Sequence, residues 1–167
     1  MVEATIRRLE PADAAAFRDI RLEGLLKAAE AFSATYEMEF DRPIEFFAQR
    51  LVGAIVLGAY IGDRIVGTAG LLANIGSKER HKTTLVGMYV RAEQRGQGVG
   101  AALIQAILDR APDGVEQILL KVVAGNDAAR ALYARLGFVT YGVEPRALKT
   151  PQGYVDDVLM VRFLNRT

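Results

Sequence analysis

Residues 85–107 read LVGMYVRAEQRGQGVGAALIQAI, an apolar strand-like run that ends in a charged, glycine-rich turn and opens directly into a helical pattern. The turn itself is Arg95-Gly96-Gln97-Gly98-Val99-Gly100. Its alternating glycines let backbone N–H groups converge without the Cβ atoms that would keep a ligand away. Behind it Val99, Ala102, Leu103, Ala106 and Ile107 recur at the spacing of a buried helical stripe. The turn therefore stands at a helix N-terminus, where orphan N–H groups and the positive end of the dipole favour an anion. Arg95 adds a planar donor fork suited to a pyrophosphate.

Three readings of this turn compete. A nucleoside-triphosphate loop needs Gly-Lys-Ser/Thr, and none follows. A dinucleotide fingerprint is formally matched by Gly96, Gly98 and Ala101, with Glu116 about twenty residues on. However, the acidic residue should end the next strand, whereas Glu116 precedes the apolar run Ile118 to Val123. The third reading is a plain strand-to-helix turn, against which Arg95 and a second, downstream motif weigh together.

That downstream stretch is Asn126-Asp127-Ala128-Ala129-Arg130-Ala131-Leu132-Tyr133-Ala134-Arg135-Leu136-Gly137-Phe138. Taken with Arg95 to Gly100, which fits a Q/R-x-x-G-x-G/A signature, it resembles the GNAT superfamily of N-acetyltransferases. The resemblance implies an α/β (α+β) fold as one domain over residues 1–167, with a mixed, mostly antiparallel sheet of six to seven strands, flanking helices and a splayed parallel pair at the cofactor site. It also implies acetyl-CoA as cosubstrate, with no metal. Arg95, Gly96, Gln97, Gly98, Val99 and Gly100 would take the pyrophosphate, and backbone groups of Met88, Tyr89 and Val90 would meet the acyl end. Asn126 and Ala129 would serve the pantetheine side, and Tyr133 would stand at the sulfur as the catalytic acid.

The rest of the chain fits this order. Thr5 to Leu9 reads as a first strand, and Pro11 starts a helix to about Ala29, with Phe17, Ile20, Gly24 and Ala28 on one face and Arg18, Glu23 and Lys27 towards water. Residues 30–42 break the period with mixed aromatic and acidic side chains, and Pro43 opens a short helix with the stripe Ile44, Phe47 and Leu51. Ile55 to Ile61 and Ile65 to Leu72 read as an antiparallel hairpin around Gly62-Asp63. In the strand Thr83 to Val90, Gly87 marks a candidate bulge. The phosphate-turn helix stops near Ala111 to Gly114, and Gln117 to Val123 completes a parallel crossover. Asn126 opens a helix ending at Gly137, placed for a left-handed cap. Two strands, Phe138 to Glu144 and Tyr154 to Phe163, close the chain around the turn-rich Lys149 to Gly153.

Composition narrows the function. The 167 residues are 51% hydrophobic, enough for one full core, and 21 Lys plus Arg against 20 Asp plus Glu give a net charge of +1, which argues against nucleic acid as partner. With no cysteine and one histidine, His81, set in a charged run and expected in a solvated loop, thiolate metal sites and a Ser-His-Asp triad are disfavoured. Met1 to Leu9 lacks a signal-peptide core and no stretch is long and apolar enough for a span, so no membrane association and a cytoplasmic location are expected. A homodimer stays open.

The expected function is transfer of an acetyl group from acetyl-CoA by direct attack of an amine, with a small primary amine as acceptor. Tyr36, Glu37, Glu39, Tyr154 and Asp156 are the acceptor-side candidates, between residues 30–42 and the segment Ala147 to Asp157. There the acids would pair with a positive group of the acceptor while Tyr36, Phe40 and Tyr154 cover its carbon skeleton. The base that frees the amine is unassigned among Glu37, Glu39, Asp156 and Asp157. The alternatives are an N-terminal protein acetyltransferase, a non-catalytic acyl-CoA-binding sensor and, less well matched, a nicotinamide-dependent oxidoreductase.

Overall fold

The computed structural model describes residues 3–165. Seven strands form one mixed sheet in the order β1-β2-β3-β4-β5-β7-β6, where β1 is Thr5–Arg8, β2 Ile55–Ile61, β3 Arg64–Ala73, β4 Lys82–Val90, β5 Gln117–Val123, β6 Val139–Thr150 and β7 Gly153–Phe163. The helices are α1 Ala14–Lys27, α2 Tyr36–Glu39, α3 Ile44–Gly53, α4 Val99–Asp109 and α5 Asp127–Arg135. The chain divides into two compact units. One runs to Leu72 and resumes over Leu85–Ala111; the other comprises Ala73–Thr84 and the chain from Pro112 onward.

In the first unit β1 pairs antiparallel with β2, and β2 with β3, joined by the tight turn at Gly62 (φ 58°). Leu9, Phe17, Ile20, Phe47, Leu51, Val56, Ile65 and Tyr89 form a buried apolar cluster that α1, α3 and the strands share. Burying side chains of this size contributes about 1.5–3 kcal/mol each, which is why the short α3 holds although an isolated helix of its length would not. The stripe expected on α3 is partly displaced. Phe47 and Leu51 are buried, but Ile44 is 41% exposed because the helix turns its first residue outward behind Pro43. On α4, Ala102 likewise faces water and Ile104 takes a core position beside Leu103 and Ile107.

In the second unit Lys82↔Gln117, Thr83↔Ile118 and Thr84↔Leu119 establish the parallel β4–β5 pair. Its start is pinned at His81, which is half-buried rather than fully solvated and whose carbonyl accepts from the N–H groups of Glu116 (2.7 Å) and Gln117 (3.1 Å). β5 pairs antiparallel with β7, and β7 with β6. Here the expected loop is absent. β6 continues to Thr150 through register shifts at Thr140/Gly142 and Glu144/Leu148, with Arg146 at φ 52°. Pro145 is tolerated because β6 ends the strand order and the proline falls within a shift.

Candidate functional site

The first unit carries the glycine-rich turn. After β4 a single 3-10 turn, Ala92–Gln94, leads to Arg95 in extended conformation, and Gly96 (φ 74°) and Gly98 (φ 86°) are both left-handed. An L-residue strains in that region, so the sequence uses glycine where the chain reverses into α4. The first N–H of α4 with a helical acceptor is that of Ala102, which donates to Gly98 O at 3.0 Å. Among the described residues, the N–H groups from Gly96 to Ala101 have no acceptor, and a Cβ at Gly96 would meet nothing within 4 Å. The turn is held from outside. Arg95 Nε donates to Val90 O (2.9 Å), its guanidinium lies 5.6 Å from the Tyr89 ring centroid, and Gln97 Nε2 donates to Glu93 O (3.0 Å). Acceptor-free N–H groups at a helix N-terminus suit a pyrophosphate.

The strand that feeds the turn is tied to α1 by a buried polar network that local sequence patterns do not reveal. Arg91, 7% exposed, donates to Ile65 O through Nε (2.8 Å), to Glu23 through Nη1 (2.7 Å) and to Asp19 through Nη2 (3.4 Å). Tyr89 donates to the other oxygen of Glu23 at 3.1 Å. Burial, then the Glu23 carboxylate, pushes the Tyr89 phenol up, so it stays a donor in this bond. Glu23 is thus a junction between helix and strand rather than a water-facing charge. Two residues earlier on α1, Arg21 makes a bidentate pair with Glu39 (both 3.0 Å), and Arg50 Nη1 joins at 3.1 Å.

Glu39 was an acceptor-side candidate and a candidate base; its carboxylate is 7% exposed and occupied by two arginines. Burial works to raise it, but hydrogen bonding and charge from Arg21, then Arg50, outweigh this and hold it below the usual carboxylate range. Such a group neither greets a cation nor takes a proton near neutrality. Of the other candidates on this side, Glu37 is exposed, and Tyr36, half-buried, stacks on Phe40 with ring centroids 5.5 Å apart. Met88 and Val90 are half-buried and Tyr89 is buried; Gly87 between Val86 and Met88 has φ 63°, the local distortion expected of a bulge.

The second unit carries the other motif. Asn126 caps α5, its Oδ1 accepting from Ala129 N at 3.2 Å, and Gly137 (φ 86°) ends the helix in left-handed conformation. A Cβ on Gly137 would run into the Arg162 guanidinium. Tyr133 is 7% exposed and meets Phe138 edge-on at 5.8 Å. Burial pushes its phenol up to about 12. Tyr154, at 55% exposure, lies beneath the Arg146 and Lys149 cations at 5.3 and 5.6 Å. Asp156 accepts from Arg146 N at 2.7 Å, which props the left-handed Arg146, and burial raises the Asp157 carboxyl.

Comparison with known proteins accords with these two motifs. Over 60 residues the chain is 40% identical to an L-methionine sulfoximine/L-methionine sulfone acetyltransferase of Pseudomonas aeruginosa, covering 35% of each chain. Over 90 residues it is 34% identical to an N-alpha-acetyltransferase RimI of Mycobacterium tuberculosis, covering 54% of this chain and 55% of that one. The chain thus spans between about a third and about half of the length of these curated relatives. A putative acetyltransferase from Salmonella typhimurium, solved with its cofactor acetyl-CoA, shares the fold with a TM-score of 0.84 at 23% identity, over 99% of this chain and 96% of that one. Residues 22–138, which hold both the phosphate turn and the Tyr133 helix, match the family model for the acetyltransferase (GNAT) family, and the chain belongs to that family.

Proposed function

We propose that this protein is an acetyl-CoA-dependent N-acetyltransferase in which a small primary amine attacks the thioester directly. The observation that carries this reading is the run of unpaired N–H groups from Gly96 to Ala101 at the start of α4, held open by two left-handed glycines. Bound acetyl-CoA supplies an acetyl group on a thiolate leaving group. The chain's residues do the rest. Amides of the turn, with Arg95, hold the pyrophosphate, and the distorted strand at Gly87 to Val90 offers an N–H to the carbonyl oxygen as negative charge develops there.

Tyr133 is the acid in this reading. A phenol with its pKa pushed up to about 12 remains protonated at any working pH and can deliver a proton to the departing thiolate. The acceptor must arrive neutral, and an alkylammonium loses its proton only near ~10, so a base or water chain assists or the free-amine fraction limits the rate. Glu39, locked between two arginines, is not that base. A second reading, acetylation of a protein N-terminus, is favoured by the similarity to an N-alpha-acetyltransferase.

Thiol release from acetyl-CoA, followed over a panel of small amines and N-terminal peptides, tests both readings. We expect release with at least one small amine, slowed by about 10²-fold in Tyr133→Phe. Release with peptides alone moves the assignment to the second reading, and no release despite acetyl-CoA binding leaves a sensor.

A further inference from the structure

The side of α1 that faces β4 presents a cation where the amine acceptor was expected to meet acids. Glu39 is consumed by Arg21 and Arg50, so two guanidinium groups share one carboxylate and the trio keeps a net positive charge. Arg50 registers the excess. Burial and then the Arg21 charge push it down, and Glu39 offsets this only in part. Arg21 uses Nε and Nη2 on Glu39; among the described residues its Nη1 has no hydrogen bond. Its side chain is 10% exposed and lies 5.2 Å from the Phe32 ring centroid, so the guanidinium is held rather than waving in solvent.

Arg21 Nη1 lies at Gly87. A Cβ built on that glycine would come 4.0 Å from Nη1 and within 4 Å of nothing else, so there is room in front of the distorted strand and the remaining guanidinium donors border it. Gly24, one turn along α1, lets this happen. A Cβ there would stand 3.1 Å from the Tyr89 ring and 3.4 Å from Phe32, so its absence lets both rings close on the helix. The result is an apolar wall of Phe32, a strand backbone distorted at Gly87 and a fixed cation beside it.

We propose that Arg21 anchors a carboxylate on the acceptor, which makes the acceptor class α-amino acids or close analogues rather than simple alkylamines. The proposal rests on the acetyltransferase reading and deepens it. In an α-amino acid the carboxylate is one carbon from the amine, so an anchor at Gly87 brings the amine to the stretch of strand, Met88 to Val90, that this reading gives to the acyl end. Glu39 then serves as a positioning residue that fixes the planar fork of Arg21, the geometry a carboxylate matches.

The test compares each of several L-amino acids with its carboxamide and its decarboxylated amine as acceptors, alongside calorimetry of acetyl-CoA. We expect kcat/KM for the acids to exceed that of both neutral-ended partners by about 10- to 100-fold, the value of a charge-assisted hydrogen bond. Because removing Arg21 alone would leave Glu39 charged and half-paired, the variant is the double Arg21→Gln/Glu39→Gln. In it the preference should collapse through KM, with acetyl-CoA affinity unchanged. Amides or amines used as well as acids, a preference that survives the double variant, or acetyl-CoA binding with no acid acetylated overturns the anchor and leaves the acetyltransferase reading to stand on its amine screen. Failure to bind acetyl-CoA at all overturns both.

Discussion

Gly98 and Gly114 make a matched pair for testing the phosphate turn. Their φ angles are 86° and 85°, and a Cβ at Gly114, in the turn between α4 and β5, would meet nothing within 4 Å. Alanine at either position carries the left-handed penalty of roughly 1–2 kcal/mol. For a chain of this size that lowers Tm by about 2–8 °C in both variants. Only Gly98 lies within the run of acceptor-free N–H groups, Gly96 to Ala101, that our reading gives to the pyrophosphate. Losing one charge-assisted hydrogen bond there, worth about 1.5–3 kcal/mol, weakens acetyl-CoA binding by about 10- to 100-fold. Calorimetry on the two folded variants should therefore show similar melting losses and very different Kd values. Equal affinity in Gly98→Ala and Gly114→Ala would refute the placement, since backbone strain is common to both.

Tyr133→Phe should keep acetyl-CoA affinity and slow transfer by about 10²-fold. Because the phenol is pushed up to about 12, wild-type kcat should show no basic-limb decline between about pH 7 and 10, and a decline there that Tyr133→Phe abolishes would contradict its environment. Glu39→Gln breaks a buried ion pair and should cost about 3 kcal/mol at pH 7 by urea unfolding. The folded pKa of Glu39 is depressed, so this contribution is present above the unfolded value of about 4.3 and is lost as pH falls through the folded pKa. The gap between wild type and variant should narrow below about pH 4; a gap constant down to the lowest pH at which both fold would contradict the pairing. Gly137→Ala carries the same left-handed strain as Gly114→Ala, and the Arg162 guanidinium in its path is the far end of a flexible side chain that can swing aside, so the two variants should lose similar amounts of Tm; a loss several-fold larger at position 137 would contradict this.

What was legible in the sequence was local. The alternating glycines after an apolar strand, the helical stripe behind them and the Asn126 cap each lie within a few residues, so spacing alone located them. The β2–β3 hairpin and the β4–α4–β5 crossover followed from turn residues and from the handedness of parallel connections. The hidden features depend on partners far apart in the chain. Glu23 looked like a solvated helix charge because Tyr89 and Arg91, which bind it, come from the end of β4 and the residue after it, more than sixty residues later. Glu39 looked available because nothing in EAFSATYEMEF indicates that Arg21 and Arg50 converge on it. The segment after Glu144 reads as a loop because it leads into the turn-rich Lys149 to Gly153, whereas pairing with β7 carries the strand on to Thr150 through a register shift.

The central claim, that the Arg95 to Gly100 turn holds the pyrophosphate of acetyl-CoA, is tested most directly by backbone amide NMR during titration with acetyl-CoA. The account predicts saturable downfield shifts concentrated at Gly96, Gln97, Gly98, Val99 and Gly100, reproduced by coenzyme A and absent with pantetheine alone. Saturable binding that leaves those amides unmoved, or shifts that pantetheine reproduces in full, would contradict it.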